Sequence, residues 1–418
     1  MIEHISYTFS SLIHGSGFAG LTWGHFLMIL ISLALMYLAI AKGVEPLLVL
    51  PIAFGMLLAN IPLAGMMSPP VQEMRLLADM SPYYLDPAVL SLGESFSIID
   101  GQVFAVKTQA GGLMYYFYKG LALVIFPPLI FLGVGAMVDF GPLIAFPSSF
   151  LMSVAAQIGI FAAFIGALML GFTAPEAGAI GIIGSADGPT TIFITVRLAP
   201  HLLGSVAVAA YTYMALVPII QPPFMKLITT DKERKVVMEQ LRPVSKTEKI
   251  VFPIATTLLV CLIVPPATPL IGMLMLGNLF KESGVTERLS KTSQNELINI
   301  VTILLGTAVG ATTNAETFLT RSTLMLTALG LFAFIVSTIA GVACGKVMCY
   351  VTKGKVNPLI GSASVSAMPM AARVSQKVGA QYNPGNFLLM HAMGPNVSGT
   401  ICSTVVAGAM IAVLSQYI

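Results

Sequence analysis

Charged side chains are too scarce in this sequence to coat a water-soluble globule. The 418 residues include 21 Lys and Arg and 18 Asp and Glu, 9% of the chain, while 56% of the residues are hydrophobic. An ordinary soluble domain carries about 25% charged residues. The composition therefore excludes a soluble enzyme and predicts an all-α polytopic membrane protein. The predicted apolar segments fall near 24–42, 46–64, 115–138, 141–171, 175–222, 250–266, 267–280, 295–313, 321–345, 356–378 and 385–416.

Several classes of site are absent from the sequence. No basic face with interleaved aromatic residues is present, so a nucleic-acid partner is not expected. The four cysteines have neither zinc-finger spacing nor a disulfide framework. No G-x-x-x-x-G-K-[ST] motif occurs, so the chain does not drive transport with ATP through a P-loop.

The charges of the connecting segments predict the orientation in the membrane. Segment 223–249 has seven basic and four acidic residues, which is typical of a cytoplasmic loop. Segment 66–112 has five acidic residues against two basic ones, and residues 1–41 contain no Lys or Arg. We therefore expect segment 66–112 and the N-terminus to lie outside.

A weak internal repeat divides the chain into two halves. The tetrapeptide IGSA begins at Ile183 and again at Ile360. The tripeptide VGA begins at Val134 and again at Val309, so its two copies are separated by almost the same length of chain. Because these matches keep their order and a nearly constant spacing, they favour duplication.

The two copies have opposite charge at equivalent turns. Acidic segment 66–112 corresponds to 281–294, which contains three basic residues, and the turn at Glu176 corresponds to 346–355, which contains three lysines. Opposite loop charge at equivalent positions indicates opposite sides of the membrane. The copies are therefore predicted to be inverted.

Inversion requires an odd number of membrane crossings in each copy, whereas each copy has six apolar pieces, because segment 175–222 is long enough for two. One piece per copy is therefore re-entrant or broken, and Gly and Pro interrupt 176–198 and 356–378. We predict a first repeat at 1–224, a cytoplasmic linker at 225–249 and a second, inverted repeat at 250–418. The broken segments are expected to meet at an ion site at the membrane midplane.

Asp187 is an ionisable residue inside an apolar run, in a segment that reads GSADGPTT. A carboxylate at that depth costs several kcal/mol unless it meets a cation, a proton or strong donors. The Gly and Pro that follow free backbone carbonyls, and hard cations prefer oxygen ligands, so the segment suits Na⁺. The alternative is that Asp187 only caps a helix beginning near Pro189. The ion or proton role is favoured, since Ser or Asn would cap at a lower desolvation cost.

Two other centres are rich in Gly, Ser and Pro. One runs from Asn357 to Arg373 and offers neutral oxygens, although its small residues also allow close helix packing. Arg373 either extends to the cytoplasmic face or holds a carboxylate. The other centre contains His391 and Asn396. A buried histidine that is hydrogen-bonded to a neighbour explains His391 more simply than a proton carrier does. Asn396 offers an amide oxygen. Tyr213 either relays a proton or anchors the chain at the interface.

Four segments carry a resemblance to a known family: GSADGPTTIF, NPLIGSASVSAMPMAARVS, NFLLMHAMGPNVSGTI and AYTYMALVPIIQPP. They resemble the β subunit of the sodium-pumping biotin-dependent decarboxylases, which include oxaloacetate, methylmalonyl-CoA, glutaconyl-CoA and malonate decarboxylases. The resemblance extends from Glu45 to the C-terminus and is weakest at 66–112.

The resemblance implies that different subunits carry out different steps of the reaction. A soluble carboxyltransferase α subunit moves a carboxyl group to biotin on a carrier protein or domain, and a small single-span γ or δ subunit completes the complex. The β subunit decarboxylates carboxybiotin that a partner presents, takes up a proton and exports Na⁺. The implied location is the cytoplasmic (inner) membrane of a bacterium or archaeon, and a homo-oligomer is compatible with it.

The resemblance also implies roles for individual residues. Asp187, Tyr213, Ser366 and Arg373 correspond to residues needed for catalysis and coupling. The implied sodium ligands are Asp187, Asn357, Gly361, Ser366 and Asn396. Arg373 and Asn357 are the implied contacts for carboxybiotin.

Two functions remain at this point. The first is the decarboxylase subunit, an enzyme, in which carboxybiotin supplies the driving force for Na⁺ export. The second is a secondary Na⁺-coupled carrier without decarboxylase chemistry on the same inverted-repeat scaffold. A gene for a biotin carrier or carboxyltransferase next to this one would favour the first.

Overall fold

The computed structural model describes residues 12–43, 45–77, 90, 94–100 and 102–418. Asp79 and Asp86, two acidic residues of the predicted outside loop, and residues 1–11 of the predicted outside N-terminus lie outside the described residues. Helices account for most of the described chain, and five of them are long and apolar enough to cross a membrane. A sixth span would be the pair Leu113–Ala122 and Phe126–Met137, which is bent by 70°. The prediction of an all-α polytopic membrane protein is confirmed.

The α-helices of the described chain are α1 (Trp23–Lys42), α2 (Pro46–Ala59), α3 (Leu113–Ala122), α4 (Phe126–Met137), α5 (Gly141–Ala145), α6 (Phe150–Ala156), α7 (Ile158–Met169), α8 (Ala174–Gly181), α9 (Gly188–Leu198), α10 (Leu203–Ile228), α11 (Asp231–Arg234), α12 (Lys246–Ile263), α13 (Thr268–Ser283), α14 (Glu287–Thr292), α15 (Ile298–Ala311), α16 (Ala315–Phe318), α17 (Arg321–Val351), α18 (Met370–Tyr382) and α19 (Leu389–Leu414). Short 3₁₀ or π turns occupy Pro147–Ser149, Ile182–Ser185, Pro200–Leu202, Pro265–Ala267, Ser293–Leu297, Pro358–Ser364 and Ser415–Tyr417.

A small antiparallel sheet interrupts the helices within the predicted outside segment 66–112. Its strands are β1 (Val71–Leu76), β2 (Glu94–Ile99) and β3 (Gln102–Gln109), in the order β1-β3-β2. The register pairs Val71 with Gln109 and Glu94 with Lys107. The sheet is too small to change the fold class.

Helix pairs from the two halves of the chain pack against each other in an equivalent way. Helix α2 packs on α15, and α13 packs on α4. In the first pair, the side-chain amide of Asn60 donates to the Thr313 carbonyl at 2.8 Å. In the second, the amide of Asn278 donates to the Val138 carbonyl at 3.1 Å. The two acceptors stand at the same place after the VGA tripeptide of each half, so this pairing follows the sequence repeat. The exact repeat boundaries stay a prediction.

The first interrupted segment, α8 to α9, enters and leaves the bundle on the same side. Glu176 stands in the first turn of α8, where its carboxylate accepts the Thr173 backbone N–H in a capping box. His201 follows α9, and its Nε2 lies 2.8 Å from Glu176 Oε1. Both ends of residues 174–201 therefore meet, and we name this segment the first hairpin.

The second interrupted segment also begins and ends on one side. The side-chain amides of Asn357 and Asn386 both donate to the Val236 carbonyl, at 2.8 and 2.7 Å. Residues 357–386 form the second hairpin. Because α10 connects the first hairpin to the linker and its 26 residues span about 39 Å, the two hairpins enter from opposite faces.

Thiol labelling tests this opposite entry. In a chain whose four cysteines are changed to alanine, the exposed positions His201 and Lys377 are each replaced by cysteine. We expect a membrane-impermeant maleimide to label H201C only from outside and K377C only from the cytoplasm, since loop charge orients the chain. The cysteine-free chain is the control. Labelling of both variants from the same side would contradict opposite entry.

Candidate cation site between the two hairpins

The tips of the two hairpins touch inside the bundle. The Ser366 N–H of the second hairpin donates to the Ser185 carbonyl of the first hairpin at 2.8 Å. Nearly every residue from 177 to 195 is buried. Because irregular backbone at membrane depth requires such protein packing, each hairpin tip completes the environment of the other.

Asp187 lies at this contact because local sequence ends one helix and starts another. Helix α8 tightens into the 3₁₀ turn Ile182–Ser185, and Ala186 adopts a left-handed backbone with φ 53°. Asp187 is then the N-cap of α9, with Pro189 in the first turn. The Thr190 N–H donates to Asp187 Oδ1 at 3.4 Å. The capping interpretation is therefore correct as geometry, and it does not exclude an ion role.

The two carboxylate oxygens of Asp187 have unequal partners. Oδ2 accepts the hydroxyls of Thr190 and Ser403, each at 2.8 Å. Among the described residues, Oδ1 has only the long contact from the Thr190 N–H. The residue is 5% exposed, and no salt bridge to it exists within the described part of the chain. The positive end of α9 offsets only part of a full negative charge, so a monovalent cation or a proton would balance the site.

One face of α19 supplies oxygens to the same region. Asn396, Thr400 and Ser403 follow one another at helical i, i+4 and i+7 spacing. The Asn396 amide donates to the Ala363 and Val365 carbonyls, both at 2.9 Å. Its Oδ1 and the Thr400 hydroxyl oxygen are buried without a partner among the described residues. Buried oxygens without a donor are expensive unless a bound ion or water uses them.

Three of the predicted site residues come together at this contact. Ser366 donates its hydroxyl to Ser403 Oγ at 3.1 Å, and Ser403 donates to Asp187. Asn396 holds the backbone just before Ser366. A chain of hydrogen bonds thus links Asp187 in the first hairpin with Ser366 in the second through α19.

The other predicted residues lie elsewhere in the bundle. Asn357 stands at the base of the second hairpin, where its amide group donates to the Arg234 and Val236 carbonyls and accepts the Leu359 N–H. Tyr213 donates its hydroxyl to the Thr327 carbonyl of α17. Their roles as sodium or catalytic residues stay predictions.

Gly361 and Arg373 also lie away from the Asp187 contact, each in its own surroundings. Gly361 lies where the second hairpin crosses α17, with its backbone against the Gly341 carbonyl. Arg373 is exposed on α18, in the hairpin that enters beside the linker. An exposed guanidinium there suits a contact with an anion arriving from the cytoplasmic face, which also stays a prediction.

The linker is tied to the second hairpin and to α19 by the buried side chains of Arg234 and His391. Arg234 donates to Asp231 Oδ1 at 2.7 Å and to the Tyr382 hydroxyl at 2.9 Å, and its guanidinium lies over the Tyr382 ring. His391 Nε2 lies 2.8 Å from the Glu239 carbonyl. The histidine therefore has a neighbour that satisfies one ring nitrogen, as the sequence favoured.

Sequence reasoning missed three residues that bear on Asp187. Thr190 belongs to the GSADGPTT segment, but its hydroxyl was assigned no role. Thr400 and Ser403 follow Asn396 at helical spacing, and that spacing was the available signal. Polar residues four and seven positions after a proposed ligand share its helix face.

Comparison with known proteins now identifies the family. The model of the family described as Na⁺-transporting oxaloacetate decarboxylase β subunit matches residues 24–414. The chain belongs to this family. The resemblance predicted from the four sequence segments is therefore confirmed, and the family match favours the decarboxylase over the plain carrier.

Relatives of this β-subunit family align along nearly the whole chain. Methylmalonyl-CoA decarboxylase subunit β of Veillonella parvula is 56% identical over 416 residues, which cover 100% of both chains. Glutaconyl-CoA decarboxylase subunit β of Acidaminococcus fermentans is 54% identical over 405 residues, 97% of each chain. The oxaloacetate decarboxylase β chain of Klebsiella pneumoniae is 52% identical over 425 aligned positions, 96% of this chain and 98% of its own.

Two conclusions follow from family membership. The chain is a multi-pass membrane protein and a subunit of a Na⁺-transporting, biotin-dependent decarboxylase. Such a β subunit works within a multi-subunit complex, so α and biotin-bearing subunits are its expected partners.

Proposed function

We propose that this chain decarboxylates carboxybiotin and couples that reaction to Na⁺ export through the site at Asp187. In the reaction the N–CO₂⁻ bond of carboxybiotin breaks, CO₂ leaves, and the electron pair stays on the biotin nitrogen. A proton then completes the N–H bond. The chemistry consumes one proton and releases one CO₂ without any redox partner.

The observation that carries the proposal is the position of Asp187. It is a buried carboxylate without an ionic partner among the described residues, placed where hairpins from opposite faces touch. Coupling requires that Na⁺ and the chemical step both bias one two-state element. Movement of one hairpin relative to the other would open the Asp187 site to one face at a time.

Energetics make such coupling necessary. Moving one positive charge outward against 100 mV costs about 2.3 kcal/mol. The sequence contains no P-loop to supply that energy. Cleavage of carboxybiotin on the cytoplasmic side, where Arg373 of the second hairpin is exposed, would supply it. Arg373 is a suitable contact for the carboxylate, since guanidinium groups bind carboxylates through paired hydrogen bonds.

The partner subunits, the location and the sodium contacts are part of the same proposal. The carboxyltransferase α subunit, the biotin carrier and a single-span γ or δ subunit would meet the chain at the cytoplasmic (inner) membrane of a bacterium or archaeon. Asp187, Ser366 and Asn396 are the proposed sodium contacts, with Thr400 and Ser403 added. Tyr213 is proposed to take part in catalysis, and Asn357 and Gly361 in sodium binding, each from its own position in the bundle.

The decisive experiment measures CO₂ release from free carboxybiotin by the purified full-length chain, alone and with its partner subunits, in NaCl and in KCl. We expect release that Na⁺ stimulates. Release that is equal in the two salts would contradict the coupling. Absence of release even with the partner subunits would contradict the decarboxylase function and favour a carrier.

A further inference from the structure

Two tyrosines on α10 have opposite environments. Tyr211 and Tyr213 are two residues apart, so they point to different sides of the helix. The Tyr213 hydroxyl is bound to the Thr327 carbonyl, and its ring lies against Gly330 of α17. The Tyr211 side chain is 1% exposed, and its hydroxyl has no partner among the described residues.

The ring of Tyr211 lies directly against the backbone that carries Asp187. A Cβ built on Gly188 would overlap the Tyr211 ring and lie 2.9 Å from its hydroxyl oxygen. Gly188 is the residue after Asp187, and a larger residue there would push the ring away. The absence of a side chain at Gly188 thus lets the phenol ring pack against the residue that follows the acid.

The surroundings of Tyr211 are otherwise apolar. Its ring belongs to a cluster with Ile192 of α9, Met56 of α2 and Leu305 of α15. Burial of a hydroxyl without a hydrogen bond costs about 1–3 kcal/mol. Phenylalanine would fill the same apolar space without that cost, so the hydroxyl needs another explanation.

The unpartnered hydroxyl lies beside the residue that follows Asp187, and one carboxylate oxygen of Asp187 is only weakly bonded. Asp187 Oδ2 accepts the hydroxyls of Thr190 and Ser403, while the 3.4 Å contact from the Thr190 N–H is the only one to Oδ1 in the part of the chain that the structure describes. Helix α19 approaches the acid with Ser403, and α10 approaches its neighbour Gly188 with Tyr211. A cation held at Oδ1 would meet neutral oxygens from both helices, as a hard cation prefers.

We propose that Tyr211 is a further residue of the sodium site, with its phenol oxygen ligating the Na⁺ bound at Asp187. This inference rests on the proposed function and assigns the site a ligand that the family resemblance did not imply. The phenol contributes an oxygen without adding charge, so the carboxylate and one Na⁺ still balance. Tyr213, whose hydroxyl is engaged by α17, is excluded from this position.

The test is a sodium titration of CO₂ release by the assembled complex that contains Tyr211→Phe. We expect the half-saturating Na⁺ concentration to rise about tenfold, roughly the effect of one lost polar contact. The maximal rate at saturating Na⁺ should stay within about twofold of the wild type. A residue with only a structural role would lower the maximal rate and leave the titration midpoint in place.

Two matched variants sharpen this result. Tyr118→Phe removes a hydroxyl on α3, where Tyr118 packs against the same apolar cluster, and should titrate like the wild type. Tyr213→Phe should leave the titration midpoint within about twofold, whatever its effect on the maximal rate. A Tyr211→Phe midpoint equal to that of the wild type overturns the inference, as does an equal shift in Tyr213→Phe.

A second measurement does not depend on the stability of the variant. 3-Fluorotyrosine placed at position 211 retains the hydroxyl and reports its surroundings by ¹⁹F NMR. We expect its signal to shift when NaCl replaces KCl. In a chain that also carries Asp187→Asn, the same exchange of salts should leave the signal unchanged. An unchanged signal in NaCl contradicts the inference. Failure of the proposed function looks different, because wild-type CO₂ release would then not respond to Na⁺ at all.

Discussion

Exchange of Asp187 for asparagine is expected to abolish sodium-dependent CO₂ release while the protein stays folded. Asparagine caps helices as well as aspartate does, and its amide oxygen can still accept the Thr190 and Ser403 hydroxyls. The substitution therefore removes the negative charge and little else. Loss of that charge from a buried cation site costs several kcal/mol, which corresponds to a fall of at least about 100-fold in sodium-stimulated turnover.

The measurement compares the wild type with Asp187→Asn over a range of NaCl concentrations. Assembly with the partner subunits and the thermal unfolding temperature are the controls for folding. Ser415→Ala is a suitable neutral variant, since Ser415 is an exposed residue just after α19 whose hydroxyl donates to the Ile411 carbonyl of that helix. Sodium-stimulated turnover near the wild-type value in Asp187→Asn would remove Asp187 from the site.

A single added methyl group at Gly361 is expected to separate the second hairpin from α17. A Cβ on Gly361 would overlap the Gly341 carbonyl oxygen, and a Cβ on Gly341 would overlap the Gly361 carbonyl oxygen. Both clashes are with backbone, so a rotamer change cannot relieve them. We expect Gly361→Ala to destabilise the protein by about 1–3 kcal/mol or more and to lower the yield of assembled complex.

Gly272 offers a matched control for this prediction. It lies inside helix α13, and a Cβ there would meet nothing within 4 Å. Gly272→Ala should be neutral or slightly stabilising, because alanine favours the helix over glycine by about 1 kcal/mol. Equal thermal unfolding temperatures and sodium titrations for the two alanine variants would show that the crossing at Gly361 is not tight.

The Gly361 crossing also bears on coupling. Ser366, which lies shortly after it in the same hairpin, bonds to the first hairpin through its N–H and to Ser403 through its hydroxyl. Displacement of the second hairpin from α17 would therefore disturb the Asp187 site without touching it. Sodium titration of the folded fraction of Gly361→Ala would report this indirect effect.

Local features of the sequence determined the fold class, the two interrupted segments and the acid within the first of them. Scarce charge and long apolar runs require a membrane, whatever the tertiary contacts. Gly and Pro around Asp187 end one helix and begin the next, and Thr173 and Glu176 cap the entry to the first hairpin. These are short-range effects of backbone conformation and hydrophobicity, so they can be predicted from neighbouring residues.

Only the tertiary structure decided which oxygens meet the acid. Asp187 is bonded to Ser403, which is far away in sequence, and Ser366 reaches it through the same hydroxyl. Asn357 proved to hold the linker backbone, and Tyr211 rather than Tyr213 faces Gly188. Such contacts depend on how helices α10, α17 and α19 pack around the hairpins. Each contact is small beside the burial energy of the helices, so the local pattern of residues does not specify it.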